Sequence, residues 1–464
     1  VKTKSLNASR RNFLKGALSL SASQAIAPWA LNLAAIGEAA AATASDYKAL
    51  VCVFLYGGND QANTVVPYDL ASHGTYQALR GSLAYGRDRL ADSVLDPLGV
   101  PVDATGLARQ YALAPELKPL LRVFDQGRMA VLLNVGPLIQ PTTKDQYLSK
   151  SAPLPPKLFS HNDQQSEWQS SGPELTTQGW GGLLEDRLLD GNSNPIFSAV
   201  NVYGNAVFLA GENVMQYQVT SSGPVALSAQ TNLYGSAVAA QALRSVMTTG
   251  SAHLFEADHA RMVADALAAN QTLTGALAAG PAIGTVFPAG NSLAEQLKMV
   301  ARVASIAPAL GIRRQVFFVG LGGFDTHDNL ATAHPVLLGQ VGSALAAFHD
   351  ATVELGMDSM ITTFTASDFG RTLTVNNDGS DHGWGSMHFI LGGAVHGQRF
   401  YGTPPVVASN GPDDVGQGRL LPTTSVDQYA ATLGRWFGVG DAQLLEVLPN
   451  LANFSVGSRN LGFV

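Results

Sequence analysis

Gln315-Val316-Phe317-Phe318-Val319 halts at Gly322-Gly323, and Phe324-Asp325-Thr326-His327 follows. A short run of β-branched and aromatic residues bounded by glycine reads as a buried strand. Beyond it, residues 335–355 carry apolar side chains at Leu337, Leu338, Val341, Leu345 and Phe348, the spacing of one helix face. Residues 359–365 then form a second strand. Strand, helix and strand over this distance make a βαβ unit, which favours a parallel sheet. The expected class is therefore α/β.

The same alternation extends outward. Residues 292–310 read as a helix, with Leu293, Leu297, Val300 and Val303 on one side. Residues 48–55 form a buried strand that ends at Gly57-Gly58-Asn59-Asp60. Further strands are expected at 129–135, before Gly136-Pro137, and at 389–391, before Gly392-Gly393. Residues 221–249 are rich in Ser, Ala and Thr with little periodicity. They read as part of an inserted region, around 200–290, within a single domain spanning 45–464. No internal repeat is evident.

The N-terminus carries Ser9-Arg10-Arg11-Asn12-Phe13-Leu14-Lys15 with Lys2 and Lys4 nearby. A weakly apolar run follows at 16–36, then a small-residue patch at 39–44. Basic stretch, run and patch in this order read as a twin-arginine export signal cleaved near Ala44. The run includes Ser19, Ser21, Ser23, Gln24, Pro28 and Asn32, so it is a poor membrane anchor. An ordinary amphipathic N-terminus is the competing reading. The export reading makes the twin-arginine translocase a partner, leaves no integral membrane anchor after cleavage, and places the protein in a bacterial periplasm or outside the cell.

Composition narrows the partners. Residues 1–44 hold five of the 28 basic residues and one of the 35 acids, so the remainder carries −11 with histidine neutral. So acidic a chain argues against nucleic acid and against an anionic membrane surface. It leaves open a small anionic substrate held by a local site. The single Cys52 excludes an internal disulfide, and its apolar surroundings make it a small hydrophobe rather than a nucleophile. No segment after the leader has the roughly 20 uninterrupted apolar residues of a membrane helix.

Three acids fall just after expected strand ends: Asp60, Asp325 and Asp368. In an open parallel sheet, the loops at the carboxyl ends of strands share one edge, where ligands bind. Three carboxylates gathered there repel one another and need a cation, a proton or arginine partners. His327 lies two residues from Asp325, and Asp381-His382-Gly383 adds a second acid–histidine pair. Oxygen and imidazole ligands suit zinc or manganese better than calcium or magnesium. Any one of them alone reads better as a helix cap or a turn residue; jointly, three strand-end acids and two histidines favour a metal site.

Ser160 opens Ser160-His161-Asn162-Asp163. A hydroxyl at a helix N-terminus facing a metal can attack phosphorus or sulfur. The same spacing fits a capping box, in which Ser160 satisfies backbone N–H groups. Arg371 could meet an anionic substrate or pair with Asp368, the ion pair being favoured. Asn59, His161, Asp163, Asp381 and His388 read as substrate-binding or supporting residues around the ligands, with a surface position open for His388 and for His396.

Several motifs occur here in order: Tyr56-Gly57-Gly58-Asn59-Asp60 with Asn63-Thr64, Ser160-His161-x-Asp163-x-Gln165, Phe324-Asp325-Thr326-His327, Ser367-Asp368-Phe369-Gly370-Arg371-Thr372 and Asp381-His382-Gly383. Together with the leader they resemble the exported bacterial proteins of domain of unknown function family 1501. That family is similar to the alkaline phosphatase-like superfamily, which includes sulfatases and cofactor-independent phosphoglycerate mutases. The resemblance implies a mainly parallel central sheet flanked by helices on both faces, and a site for one or two divalent ions. It implies that Asp60 is a first-strand ligand, Ser160 the nucleophile and Asp325 the acid of an Asp-x-x-x-His motif. Position 329 is Asn, so His327 would stand in for that histidine. Asp368 resembles the acid of an Asp-His pair, although Phe369 follows it, and His382 resembles the late histidine ligand.

Two functions compete at this stage. One is a metal-dependent hydrolase of a phosphate or sulfate ester. The other is a non-catalytic binding or assembly protein that keeps the fold, which the departures at Asn329 and Phe369 favour.

Overall fold

The computed structural model describes residues 46–225, 229 and 231–464. The expected export signal lies outside the described residues. Nine strands form one sheet among the described residues. In chain order they are β1 Lys48–Leu55, β2 Met129–Gly136, β3 Ala199–Asn201, β4 Tyr217–Gln218, β5 Arg314–Leu321, β6 Ile361–Ser367, β7 Ser386–Leu391, β8 Arg399–Tyr401 and β9 Thr424–Ser425. The order across the sheet is β8-β2-β7-β6-β1-β5-β3-β4, with β9 also on β2. Every pairing is parallel except those of β7 with β2 and β6. The sheet is thus mainly parallel, and the fold is α/β with helices on both faces.

The period of two along β1 explains the two layers. Ala49, Val51, Val53 and Leu55 face one core, whereas Leu50, Cys52 and Phe54 face the other. The helices used below are α1 Leu70–Arg80, α2 His161–Ser170, α3 Ala237–Thr248, α4 Leu254–Ala279, α5 Ser292–Ser305, α6 Leu330–Glu354 and α7 Val426–Phe437. Helices α5 and α6 cover the first face, through residues such as Leu297, Val300, Val341 and Leu345. Trp168 of α2 and Tyr429 and Leu433 of α7 cover the second.

Register fixes what meets at the rim. Leu55 pairs with Leu321 on one side and with Ser367 on the other, so three strands end level. Because β7 runs antiparallel, its first residue lies at that same rim, and the loop holding His382 arrives there too.

Three expectations change. The strand expected at 389–391 is longer, Ser386–Leu391, and it is the antiparallel member of the sheet. Residues 237–248, read as lacking periodicity, form α3, since alanine supports a helix without marking a face. Helix α6 is long and apolar enough to cross a membrane by length and composition, yet half of it is buried against the sheet. Its apolarity reflects a place in the core.

Candidate metal centre

The centre is assembled from four loops at the rim. After β1 the chain turns through Gly57 at φ 114°, where an added Cβ would lie 2.3 Å from the Asp325 nitrogen. Only glycine lets the two loops approach so closely. This contact places Asp325 beside the end of β1.

Helix α2 brings His161. The chain enters it through Phe159 at φ 73°, a conformation that costs an aromatic residue on the order of 1–3 kcal/mol. That turn aims the Phe159 carbonyl at His382, whose Nδ1 lies 2.7 Å away. Nδ1–H therefore donates to a backbone oxygen, and Nε2 of His382 keeps its lone pair. His161 is held the same way: its Nδ1 lies 2.6 Å from Asp368 Oδ2. His327 Nδ1 lies 3.4 Å from Asp381 Oδ1. Each of three imidazoles thus has its Nδ1 turned to an oxygen, the arrangement that orients metal-binding histidines.

The Nε2 atoms face inward. They lie 3.4 Å (His161), 3.1 Å (His327) and 3.3 Å (His382) from the Asp325 carboxylate oxygens. The donor atoms of His161, Asp325 and His382 all lie within 4.8 Å of one another. Nε2 of His327 and Nε2 of His382 are 2.8 Å apart. Two facing lone pairs at that distance need a proton or a cation between them. His161 Nε2 is buried and makes no hydrogen bond among the described residues. An orphaned buried nitrogen aimed at a carboxylate is what an imidazole ligand leaves, so the group of His161, His382 and Asp325 fits a divalent cation such as zinc, with His327 beside it.

Electrostatics follow the same geometry. The hydrogen bond to Asp368 raises the His161 pKa above the ordinary histidine value. Burial lowers that of His382. Burial pushes the Asp325 carboxyl up, but Arg371, His161 and His327 pull it down further, so it ends below its ordinary value.

The remaining expected residues are placed as follows. Asp368 is fully buried and supports the centre from behind: Oδ2 accepts from His161 and from Gln165 Nε2 at 2.8 Å, and Oδ1 from the Gly57 N–H at 3.2 Å. Asp60 does not join the cluster. Helix α1 delivers Arg80 to it, and the two form a fully buried ion pair. Arg371 pairs with Asp325, at 3.0 Å, rather than with Asp368, and also donates to the carbonyls of Gly57 and Ser380. Ser160 caps no backbone group; its hydroxyl donates to Asp163 Oδ2 at 2.8 Å. Asp163 also meets Lys157 at 3.5 Å.

Asn59 belongs to a buried network with Thr64 and His334, where burial drives the His334 pKa down to about 4. His388 is a core residue: its ring packs edge-on against Trp168, Nδ1 meets Thr365, and burial drives its pKa down to about 3. His396 hydrogen-bonds the Gly462 carbonyl near the C-terminus. Sequence reasoning missed the Phe159 carbonyl and Arg80, and it had His161 supporting the centre, where the structure turns its Nε2 inward.

The chain belongs to the DUF1501 family. The match, to a family described as a protein of unknown function, covers residues 47–448. No curated protein matches the chain. Among solved structures, the PsFucS1 sulfatase from Pseudoalteromonas sp. is 10% identical over 90% of this chain and 73% of its own, with a TM-score of 0.36. Ps i-CgsB in complex with k-i-k-neocarrahexaose is 10% identical over 86% and 74%, with a TM-score of 0.34.

Proposed function

We propose that this DUF1501 chain is an exported, metal-dependent hydrolase of a phosphate or sulfate ester. The observation that supports it is the convergence of three imidazole Nε2 atoms on Asp325, with the rings of His161 and His382 held at Nδ1 by hydrogen bonds and that of His327 facing Asp381. His161, His327, His382 and Asp325 would hold one divalent cation, zinc or manganese before calcium or magnesium. When bound, that cation supplies the positive charge that stabilises negative charge developing on the ester oxygens.

The chain's own residues do the rest. Asp368 and the Phe159 carbonyl keep protons on Nδ1 of His161 and His382, which fixes the tautomers. Arg371 holds the orientation of Asp325. Ser160 is the candidate attacking hydroxyl, and Asp163 is placed to accept its proton.

A second reading rests on the same side chains. Asp60 is closed off by Arg80 and the Ser160 hydroxyl is engaged by Asp163, which suits a metal-binding protein without turnover. Metal analysis of purified protein, paired with hydrolysis of aryl phosphate and aryl sulfate esters, separates the two. Bound metal with turnover lost in both Ser160→Ala and His382→Ala supports the hydrolase. Bound metal without turnover supports the second reading, and metal-free protein of unchanged stability sinks both.

A further inference from the structure

Phe159 and His382 come from distant parts of the chain, and the hydrogen bond between them sets which nitrogen of His382 stays free. The turn that presents the Phe159 carbonyl is a strained one. Lys157 and Phe159 both have left-handed backbones, at φ 44° and 73°, which residues with a Cβ keep only under outside constraint. Within the turn, the Ser160 N–H donates to the Lys157 carbonyl at 3.1 Å. That bond does not hold Phe159.

Arg419 supplies the constraint. Its guanidinium carbon stands 4.7 Å from the centre of the Phe159 ring, and its Nε–H donates to the His382 carbonyl at 2.9 Å. One planar group therefore touches both residues of the Phe159–His382 bond. Its Nη1 lies 3.5 Å from the Gly416 carbonyl, so these contacts are with carbonyls and a ring rather than a carboxylate. Stacking and a fixed Nε donor together need the flat, delocalised charge of arginine.

The loop that carries Arg419 is firmly held. Buried Asp414 accepts from the N–H groups of Gly416 and Gly418 at 2.7 and 2.8 Å, and from that of Asn410 at 2.8 Å. Gly418, at φ 74°, passes so close to Leu373 that an added Cβ would lie 2.6 Å from its side chain. The Leu373 N–H donates to the Gly418 carbonyl at 3.0 Å, and the Gly385 N–H to that of Leu420 at 2.8 Å. Arg419 is thus tied to the segments that carry Arg371 and His382.

We infer that Arg419 is a positioning residue that fixes the tautomer of His382, acting through the Phe159 carbonyl. The inference rests on the reading of His382 as a metal ligand. Without the guanidinium, Phe159 relaxes from φ 73° toward the ordinary extended region, and its carbonyl turns away from Nδ1. The ring then loses the acceptor that keeps Nδ1 protonated, and the Nε2–H form competes. Removing Arg419 deletes no ligand atom.

Proton–nitrogen correlation spectra of the metal-free protein at pH 8 read the tautomer directly, with His382→Gln identifying the signal. His382 should be in the Nδ1–H form in the parent protein and a mixture in Arg419→Met. Zinc affinity, measured against a chromophoric chelator, should fall about 10–100-fold, as when an orienting partner is lost. Arg399→Met, which removes an exposed cation at the sheet edge, should leave both readings unchanged. Arg419→Lys keeps the charge and should restore neither. An unchanged tautomer in folded Arg419→Met overturns the inference, even where its melting temperature drops. So does full restoration by Arg419→Lys, since charge alone would then suffice. Circular dichroism checks folding, and should Arg419→Met fail it, Arg419→Lys takes its place in the tautomer comparison. A parent protein that binds no zinc ends the metal reading, while the metal-free spectra still decide the role of Arg419.

Discussion

Asp368→Asn tests the centre without deleting a donor atom that faces inward. Three donors converge on this fully buried carboxylate: His161 Nδ1 at 2.6 Å, Gln165 Nε2 at 2.8 Å and the Gly57 N–H at 3.2 Å. Asparagine has one acceptor oxygen, so its NH₂ must oppose either Gly57 or the pair His161 and Gln165. In both orientations the negative charge behind His161 disappears, and Nε2 becomes a weaker base. Losing such an orienting partner typically costs 10–100-fold in metal affinity, or about 1.4–2.7 kcal/mol. Competition for zinc against a chromophoric chelator at neutral pH measures it. An unchanged affinity would mean that His161 is not oriented through Asp368. A loss as large as that of His382→Ala would make Asp368 a ligand, and the reasoning would be wrong.

Three further outcomes are expected. Zinc affinity should weaken as pH falls through the raised pKa of His161, because proton and metal compete for its ring; removing the Asp368 charge should move the onset to lower pH, read from affinity measured against pH. Arg80→Met leaves Asp60 buried and unpaired and should destabilise the protein by about 3–5 kcal/mol in urea unfolding, with little change in affinity per folded molecule. Glu167, on α2, is raised from 4.5 to about 7 by burial and by Asp163, so the folded state binds its proton more tightly than the unfolded state and stability falls as pH rises from 4.5 to 7. Glu167→Gln should therefore gain on the order of 2–3 kcal/mol at pH 8 and almost nothing at pH 4, and an equal effect at both would contradict the assignment.

The sheet was legible because strand length, glycine punctuation and a helical apolar stripe agreed over residues 315–365. The antiparallel course of β7 was not, since a short apolar run carries no direction. Strand-end position correctly brought Asp325 and Asp368 to one rim, and spacing placed His327 and His382 near them. It could not distinguish a carboxylate that faces the centre from one that stands behind a histidine. Asp368 and His161 are neighbours in space and 207 positions apart, and only tertiary contact reveals which of them faces inward. Asp60 misled for a related reason. Its strand-end position was informative, but Arg80, on a helix whose packing no local pattern specifies, neutralises it.

Arg371 limits how much positive charge the rim can take up. Its guanidinium is fully enclosed, and Nη1 stands 3.0 Å from Asp325 Oδ1. Two-ion hydrolases set their ions about 3.5–4 Å apart and need carboxylates on both sides to offset four units of charge. Here a permanent monovalent charge is already built into the protein, and Asp60 is spoken for by Arg80. One divalent ion would, with Arg371, offset Asp325, Asp368 and Asp381, and a second would meet repulsion from the enclosed guanidinium.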